Sequence, residues 1–192
     1  MPSSVGHGLM GLSLAWFTAS LQRSAPLKLA RSQEWGLALS CVALAVLPDV
    51  DVIVGAHRGP THSVGAVMLA VLVSAGVAWW RGLPVVFVAA SCGLAYASHL
   101  ALDLLGKDSR TPRGIMLFWP WSAAYYTSGL DLFLEISRRY WLPQEVIWGN
   151  LRSIAWELVL LMPVVVIAWK LRTQRQKTEV RRQKTEVGSQ NS

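Results

Sequence analysis

Apolar segments long enough to cross a lipid bilayer constrain the fold of this chain more than any other feature of its sequence. A transmembrane helix needs roughly 17–25 predominantly apolar residues, and that length is met over Val5–Leu21, Ser63–Trp80 and Val85–Leu105. Ile154–Trp169 is shorter, but Arg152 and Lys170 flank it and can extend to the two interfaces. Trp35–Leu47 reaches spanning length if its helix begins near Ser32. With 53% hydrophobic residues in 192 positions, the chain is predicted to be all-α, a multi-pass transmembrane helical bundle of about five spans.

The distribution of basic residues predicts the orientation of these spans. Lys and Arg in short loops remain on the cytoplasmic side of a membrane. Five spans place the basic segments on one face, namely the loops 22–34 and 81–83 and the tail after Trp169. The amino terminus, the loop 48–62 and the segment 106–151 then lie on the opposite face. The sequence therefore predicts an extracytoplasmic amino terminus and a cytoplasmic carboxyl terminus.

The tail accounts for much of the net charge of +7. It contains a tandem repeat, RQKTEVR at 175–181 followed by RQKTEV at 182–187, which has no apolar face. Such a segment is typical of a solvated, disordered tail that contacts anionic lipid. Nucleic-acid binding is not expected. The predicted division is a membrane-embedded domain over 1–169 and a disordered cytoplasmic tail over 170–192.

Histidines and carboxylates occur together in short patches that carry the clearest sign of chemistry. His7 begins the first span, two histidines lie in HRGPTHS at 57–63, and the fourth lies in HLALD at 99–103. The patch LPDVD at 47–51 adds two aspartates. The predicted topology brings all of these patches to the extracytoplasmic face. His99 and Asp103 are four residues apart, so they share one face of a helix and can reach one ion. Pro48 ends the second helix and turns Asp49 and Asp51 away from it.

Each patch also has a structural interpretation. The aspartates can cap helices, and an imidazole can simply hydrogen-bond a carboxylate. The coincidence of all the patches at one depth favours a metal site instead, because ionisable groups at a membrane boundary are costly unless they are paired or bound to a cation. Imidazole and carboxylate ligands together suit Zn, Mn, Fe or Ni.

These patches, followed by TPRGIMLFWPWS at 111–122, resemble the YdjM-type inner-membrane proteins, a family of membrane-bound metal-dependent hydrolases. The resemblance covers roughly residues 5–140, and HRGPTHS is its most specific part. It implies a bacterial inner-membrane protein with a His/Asp metal centre and hydrolytic activity.

As an enzyme, the protein would use one or two divalent ions, Zn foremost with Mn or Fe as alternatives, to activate water. The expected metal ligands are His7, Asp49, His62, His99 and Asp103. Asp51 and His57 are candidates for the general base or for orienting a ligand, and His57 can also bind metal. Arg58 can pair with Asp49 or Asp51, or it can bind an anionic substrate. Arg58 and Arg113 are candidates to stabilise a phosphate oxyanion. A site at the lipid–water boundary favours a phosphoester or lipid-like substrate.

The segment 106–151 is rich in aromatic residues of the kind found at headgroup level. Gly129–Trp141 is predicted to form an interfacial helix after the fourth span, over the site, and a lid that admits lipid is the more specific interpretation. Asp131 and Glu157 are possible extra ligands, although hydrogen bonding at the interface is the simpler role for both.

Two other functional classes remain open. A metal transporter or sensor would also gather His and Asp at a membrane boundary, but it should place ionisable residues within several spans, and these spans are nearly free of them. A regulatory scaffold would use the same residues as a structural metal site and would bind metal without turnover. Membrane lipid is the expected partner, and protein partners are unknown from the sequence.

Overall fold

The computed structural model describes residues 2–22, 29–54, 58–109, 111–137 and 143–190, and these residues form an all-helical protein without strands. The five long helices are α1 (Ser4–Leu21), α2 (Arg31–Val46), α3 (Val64–Trp80), α4 (Val85–Leu105) and α5 (Pro143–Gln190). The prediction of a helix at each apolar segment is confirmed. Within the described residues, α4 and the Val146–Arg182 part of α5 are long and apolar enough to cross a membrane, and α3 is apolar but shorter.

Local sequence signals explain where the helices begin and end. The Ser3 hydroxyl caps α1 by accepting a hydrogen bond from the Gly6 amide at 3.1 Å, and the Ser63 hydroxyl caps α3 through the Ala66 amide at 3.1 Å. Helix α2 ends at Val46, because Pro48 has no amide hydrogen with which to continue it. The chain tightens there into a 3-10 helix over Leu47–Val54, which brings the LPDVD aspartates next to the helix end.

Helix α1 lies at the centre of the bundle, where it packs against α2, α4 and α5, while α3 packs against α4. Its contact with α2 is close because Gly11 lacks a side chain: a Cβ atom at this position would lie 2.7 Å from both the Ala45 Cβ atom and the Cys41 carbonyl oxygen. Small residues of this kind allow the close backbone approach seen between membrane helices.

Helices α1 and α5 run in the same direction. Glu157 contacts Ser3 at the start of α1, and the Arg175 guanidinium donates to the Ala19 carbonyl near its end. Arg175 also lies 3.4 Å from Glu34 at the start of α2. The two contact points on α5 are therefore about 27 Å apart, from the helical rise of about 1.5 Å per residue.

The prediction of an interfacial helix over Gly129–Trp141 is wrong for its described part, residues 129–137. Gly129 and Asp131 have positive φ angles of 69° and 49°, a backbone conformation that a right-handed helix does not contain. The segment is extended and bridges the end of α4: the Lys107 amide donates to the Phe133 carbonyl at 2.8 Å, and the Leu132 amide donates to Leu105 at 2.8 Å. Its backbone groups are thus paired with α4 rather than within a helix.

Beyond Trp169, where the sequence predicts a disordered tail, α5 continues without a break through the repeat to Gln190. A helix that is already formed extends without a new nucleation step, and the Arg, Lys, Gln and Glu of the repeat are good helix formers. The Arg175 side chain also pairs with Glu179 one turn later, at 3.2 Å.

Candidate metal centre

The ends of four helices bring the five predicted metal ligands to the same end of the bundle. His7 lies in the first turn of α1, Asp49 in the 3-10 helix after α2, His62 just before α3, and His99 and Asp103 in the last turns of α4. Ligand atoms of His7, Asp49 and His99 lie within 4.8 Å of one another, and so do those of His62, His99 and Asp103. His99 belongs to both groups and joins them.

The Asp103 carboxylate lies among three imidazole rings. Its Oδ1 atom is 3.4 Å from His7 Nε2, and its Oδ2 atom is 3.4 Å from His62 Nε2 and 3.3 Å from His99 Nε2. The rings of His7 and His99 stack with their centroids 3.8 Å apart. Asp49 completes the cluster from the side, with Oδ1 4.0 Å from His62 Nε2.

Hydrogen bonds on the far side of two rings fix their tautomers. His99 Nδ1 donates to the Ala45 carbonyl at 2.7 Å. That oxygen is accessible because the 3-10 helix after α2 directs its amides to residues three positions back rather than four. The Thr61 hydroxyl donates to Asp51 Oδ2 at 2.7 Å, so its oxygen accepts from His62 Nδ1 at 3.0 Å, and this nitrogen also carries the proton.

With both Nδ1 atoms protonated, the two Nε2 atoms present their lone pairs to each other at 3.1 Å. Nearby, neither nitrogen of His7 nor either oxygen of Asp103 makes a hydrogen bond of acceptable geometry within the described residues, although all four atoms are buried. Facing lone pairs and unsatisfied buried groups are costly by themselves. A divalent cation would accept the Nε2 lone pairs of His62 and His99, one from His7 and those of the Asp103 carboxylate, so the residues fit a metal ion.

Of the predicted catalytic residues, Asp51 and Arg58 lie beside the cluster. Asp51 accepts the Arg58 amide at 3.0 Å, which adds to its bond from Thr61. The Arg58 guanidinium is buried and pairs with Asp108 at 2.5 Å, and Asp108 also accepts the Gly114 amide. This pair ties the loop before α3 to the segment after α4. His57, the third predicted catalytic residue, lies outside the described residues.

The remaining predicted residues lie apart from the cluster. Arg113 and Asp131 are exposed. Glu157 lies on α5 and is buried against the start of α1. There it accepts hydrogen bonds from the Ser3 amide at 2.7 Å and the Ser3 hydroxyl at 2.5 Å. Both are hydrogen bonds that hold the helix turn bearing His7.

Sequence reasoning missed two groups that support the cluster. Thr61 orients Asp51 through its hydroxyl, and its own carbonyl accepts the Tyr96 hydroxyl at 2.8 Å. Its place directly before His62 in the HRGPTHS patch was a signal for this role. The Ala45 carbonyl, by contrast, is a backbone atom that no residue pattern identifies.

Among the described ligands of the cluster, Asp49 is the most exposed. The side chains of His7, His62, His99 and Asp103 are at most 1% exposed, whereas that of Asp49 is 12% exposed. Leu47 and Val50, on either side of Asp49 in the chain, are both 49% exposed. The accessible edge is therefore a carboxylate between apolar side chains.

Comparison with known proteins gives one positive result. The family model described as YdjM inner membrane protein matches residues 1–176. No curated protein and no solved structure matches the chain.

Proposed function

Since the chain belongs to the family of YdjM inner membrane proteins, whose model matches residues 1–176, we propose that its five helices each cross the bacterial inner membrane. Two observations support this topology. The helices alternate in direction along the chain, and the contacts at Glu157 and Arg175 are about 27 Å apart on α5, close to the roughly 30 Å hydrocarbon core of a bilayer. Arg172 and Arg175 mark the end opposite the cluster. The positive-inside rule then places the cluster on the extracytoplasmic side and the basic end of α5 in the cytoplasm.

The proposed activity is metal-dependent hydrolysis at this extracytoplasmic boundary. The observation that carries it is the convergence of the His62 and His99 Nε2 atoms on the buried carboxylate of Asp103. His7, Asp49, His62, His99 and Asp103 would hold one or two divalent ions, of which Zn fits the ligands well and Mn or Fe are alternatives. A bound ion supplies a Lewis acid that lowers the pKa of water toward neutrality.

The protein's own residues would divide the remaining tasks. Asp51 and Thr61 hold the His62 ring in the tautomer that a metal requires. Asp49 has the most accessible side chain of the five ligands and lies where a water proton can be accepted. His57 stays a candidate for the same step. The pairing of Arg58 with Asp108 suits it to holding the loop in place, and contact with a substrate phosphate stays a second proposed role.

A phosphoester of lipid-like character is the proposed substrate class. Asp49 is flanked by Leu47 and Val50, and Val5 at the start of α1 is 52% exposed. An apolar rim around a single accessible carboxylate suits an amphiphile delivered from the membrane better than a strongly hydrated solute.

The second candidate is a regulatory scaffold with a structural metal site. The near-complete burial of four ligand side chains favours it, because structural sites are closed whereas catalytic sites keep an open position. A transport pathway has less support, since the clustered ligands lie at helix ends rather than along the spans.

Elemental analysis of the protein purified in detergent tests the metal site. Asp103→Asn should lose stoichiometric metal because it removes the buried charge without changing shape. Asp131→Asn makes the same exchange at an exposed position and should retain metal. A folded wild-type protein that takes up no metal after its addition would reject both candidates.

Turnover separates the two candidates. The metal-loaded protein is assayed against phosphoesters of short-chain and long-chain alcohols, with Asp49→Asn beside it. Hydrolysis that is lost in Asp49→Asn, with at least part of the metal retained, supports the enzyme. Bound metal without turnover of any of these substrates leaves the scaffold.

A further inference from the structure

A second site begins at the end of the bundle opposite the metal cluster and runs along α2 toward it. There α2 and α3 each pack against α4 and leave a groove of about 750 Å³ between them. Apolar side chains such as Leu37, Leu44, Val73 and Val88 line most of it. The volume is in the range of ligand-binding clefts, roughly 300–1,000 Å³.

The groove has the length of one acyl chain in a single leaflet. It extends along α2 from Ser32 to Leu44, a distance of about 18 Å at a rise of about 1.5 Å per residue. Half of the hydrocarbon core of a bilayer is about 15 Å thick. In the proposed topology the Ser32 end lies at the cytoplasmic interface and the Leu44 end lies toward the metal cluster.

One end of the groove carries a positive charge. Arg81 lines this end and is exposed, and it has no carboxylate partner among the described residues. The neighbouring Trp79 and Trp80 are 79% and 77% exposed, and exposed tryptophans of this kind mark the headgroup level of a bilayer. A cation at headgroup depth above an apolar groove complements an anionic amphiphile.

We propose that this groove binds one anionic phospholipid of the cytoplasmic leaflet, with its phosphate at Arg81 and one acyl chain along α2. The proposal rests on the membrane topology proposed above and is independent of the metal chemistry. It names a bound lipid that is not the substrate, because the headgroup and the metal cluster lie at opposite ends of the bundle.

Native mass spectrometry of the full chain in detergent tests this site, with phosphatidylglycerol and phosphatidylcholine of the same acyl composition as probes. The wild-type protein should retain one phosphatidylglycerol per chain in preference to phosphatidylcholine. Gly36→Leu should abolish retention, because Gly36 lines the groove and a Cβ atom there meets nothing within 4 Å. The added side chain therefore enters the groove from a position where its Cβ atom displaces no protein atom.

Two matched controls accompany these measurements. Gly76→Leu makes the same exchange on α3, also into open space but outside the groove, and should retain the lipid. Arg81→Gln should weaken phosphatidylglycerol binding about fivefold, the effect of one basic residue near an anionic headgroup. Arg152→Gln, at an exposed position on α5, should not change the binding of phosphatidylglycerol.

Several outcomes would overturn the proposal. Equal retention by the Gly36→Leu and Gly76→Leu variants would place the lipid outside the groove, and equal retention of both lipids would remove the role of Arg81. A wild-type dimer without lipid that Gly36→Leu converts to a monomer would show that a second copy occupies the groove. Metal content measured on the same samples reports separately on the proposed hydrolase site.

Discussion

The contact between Glu157 and Ser3 allows us to predict how much free energy holds the first turn of α1, which bears His7, against α5. Glu157 accepts two hydrogen bonds from Ser3, one from the backbone amide and one from the hydroxyl. Interhelical hydrogen bonds in membrane proteins contribute about 0.6 kcal/mol on average and up to about 1.7 kcal/mol, and a charged acceptor roughly doubles the strength. Each bond here is therefore worth about 1.5 kcal/mol.

A double-mutant cycle measures this value. Glu157→Met keeps an unbranched side chain but removes both acceptors, and should lower the free energy of unfolding by about 3 kcal/mol. Ser3→Ala removes the hydroxyl bond and the cap of α1, at a combined cost of about 2.5 kcal/mol. The double variant should lose about 4 kcal/mol rather than the additive 5.5 kcal/mol, because the hydroxyl bond is counted in both single variants.

Unfolding is followed by tryptophan fluorescence during titration with sodium dodecyl sulfate. The protein is first treated with a chelator, so that metal bound through His7 does not add to the measured stability. Additive losses, within about 0.5 kcal/mol, would show that Glu157 and Ser3 do not interact and would refute the reasoning.

Three further predictions concern other parts of the bundle. Gly11→Ala should destabilise the protein by about 1–3 kcal/mol because its Cβ atom would overlap α2, whereas Gly8→Ala, with ordinary contacts at 3.7 Å and beyond, should be neutral or stabilising in the same titration. Thr61→Val should weaken metal binding about 10–100-fold by freeing Asp51, measured by competition with a chelating dye. Thr173→Val, whose hydroxyl bonds only its own helix, should leave the affinity unchanged. Glu34→Gln should lower the unfolding free energy by about 1–3 kcal/mol, because it removes the carboxylate that Arg172 and Arg175 share, while elemental analysis should show unchanged metal content. A loss of metal in Glu34→Gln would contradict the separation of the two ends.

Most of the helical framework could be predicted from the sequence because hydrophobic length is a strong, local signal. The predicted span Val85–Leu105 matches α4 at both ends, and Val5–Leu21 differs from α1 by one residue. The course of residues 129–137 could not be predicted. Leu130, Phe133, Leu134 and Ile136 have helical spacing, yet the backbone pairs with the end of α4, and such a tertiary contact has no signature in local periodicity.

The convergence of the metal ligands could be predicted in outline, because helix ends that share a membrane face are close together. The contacts that orient them could not. Arg58 was expected to pair with Asp49 or Asp51 or to bind an anionic substrate, and its guanidinium pairs with Asp108, a residue fifty positions away that the sequence analysis did not single out. Charge alone does not show which of several nearby carboxylates an arginine will meet.

The hydrogen bond from His99 to the Ala45 carbonyl has a consequence for how this family can be studied by mutagenesis. Every side-chain replacement at position 45 retains that oxygen, so an alanine or deep mutational scan reports only packing there. Substitutions at position 45 therefore cannot test the carbonyl oxygen that orients the His99 imidazole. Substitutions at Pro48 test this hydrogen bond instead. A residue with an amide hydrogen at position 48 would let α2 continue and would engage the Ala45 oxygen within the helix. A mutational scan would then identify Pro48 as a position needed for the metal site, although Pro48 provides no ligand to the ion.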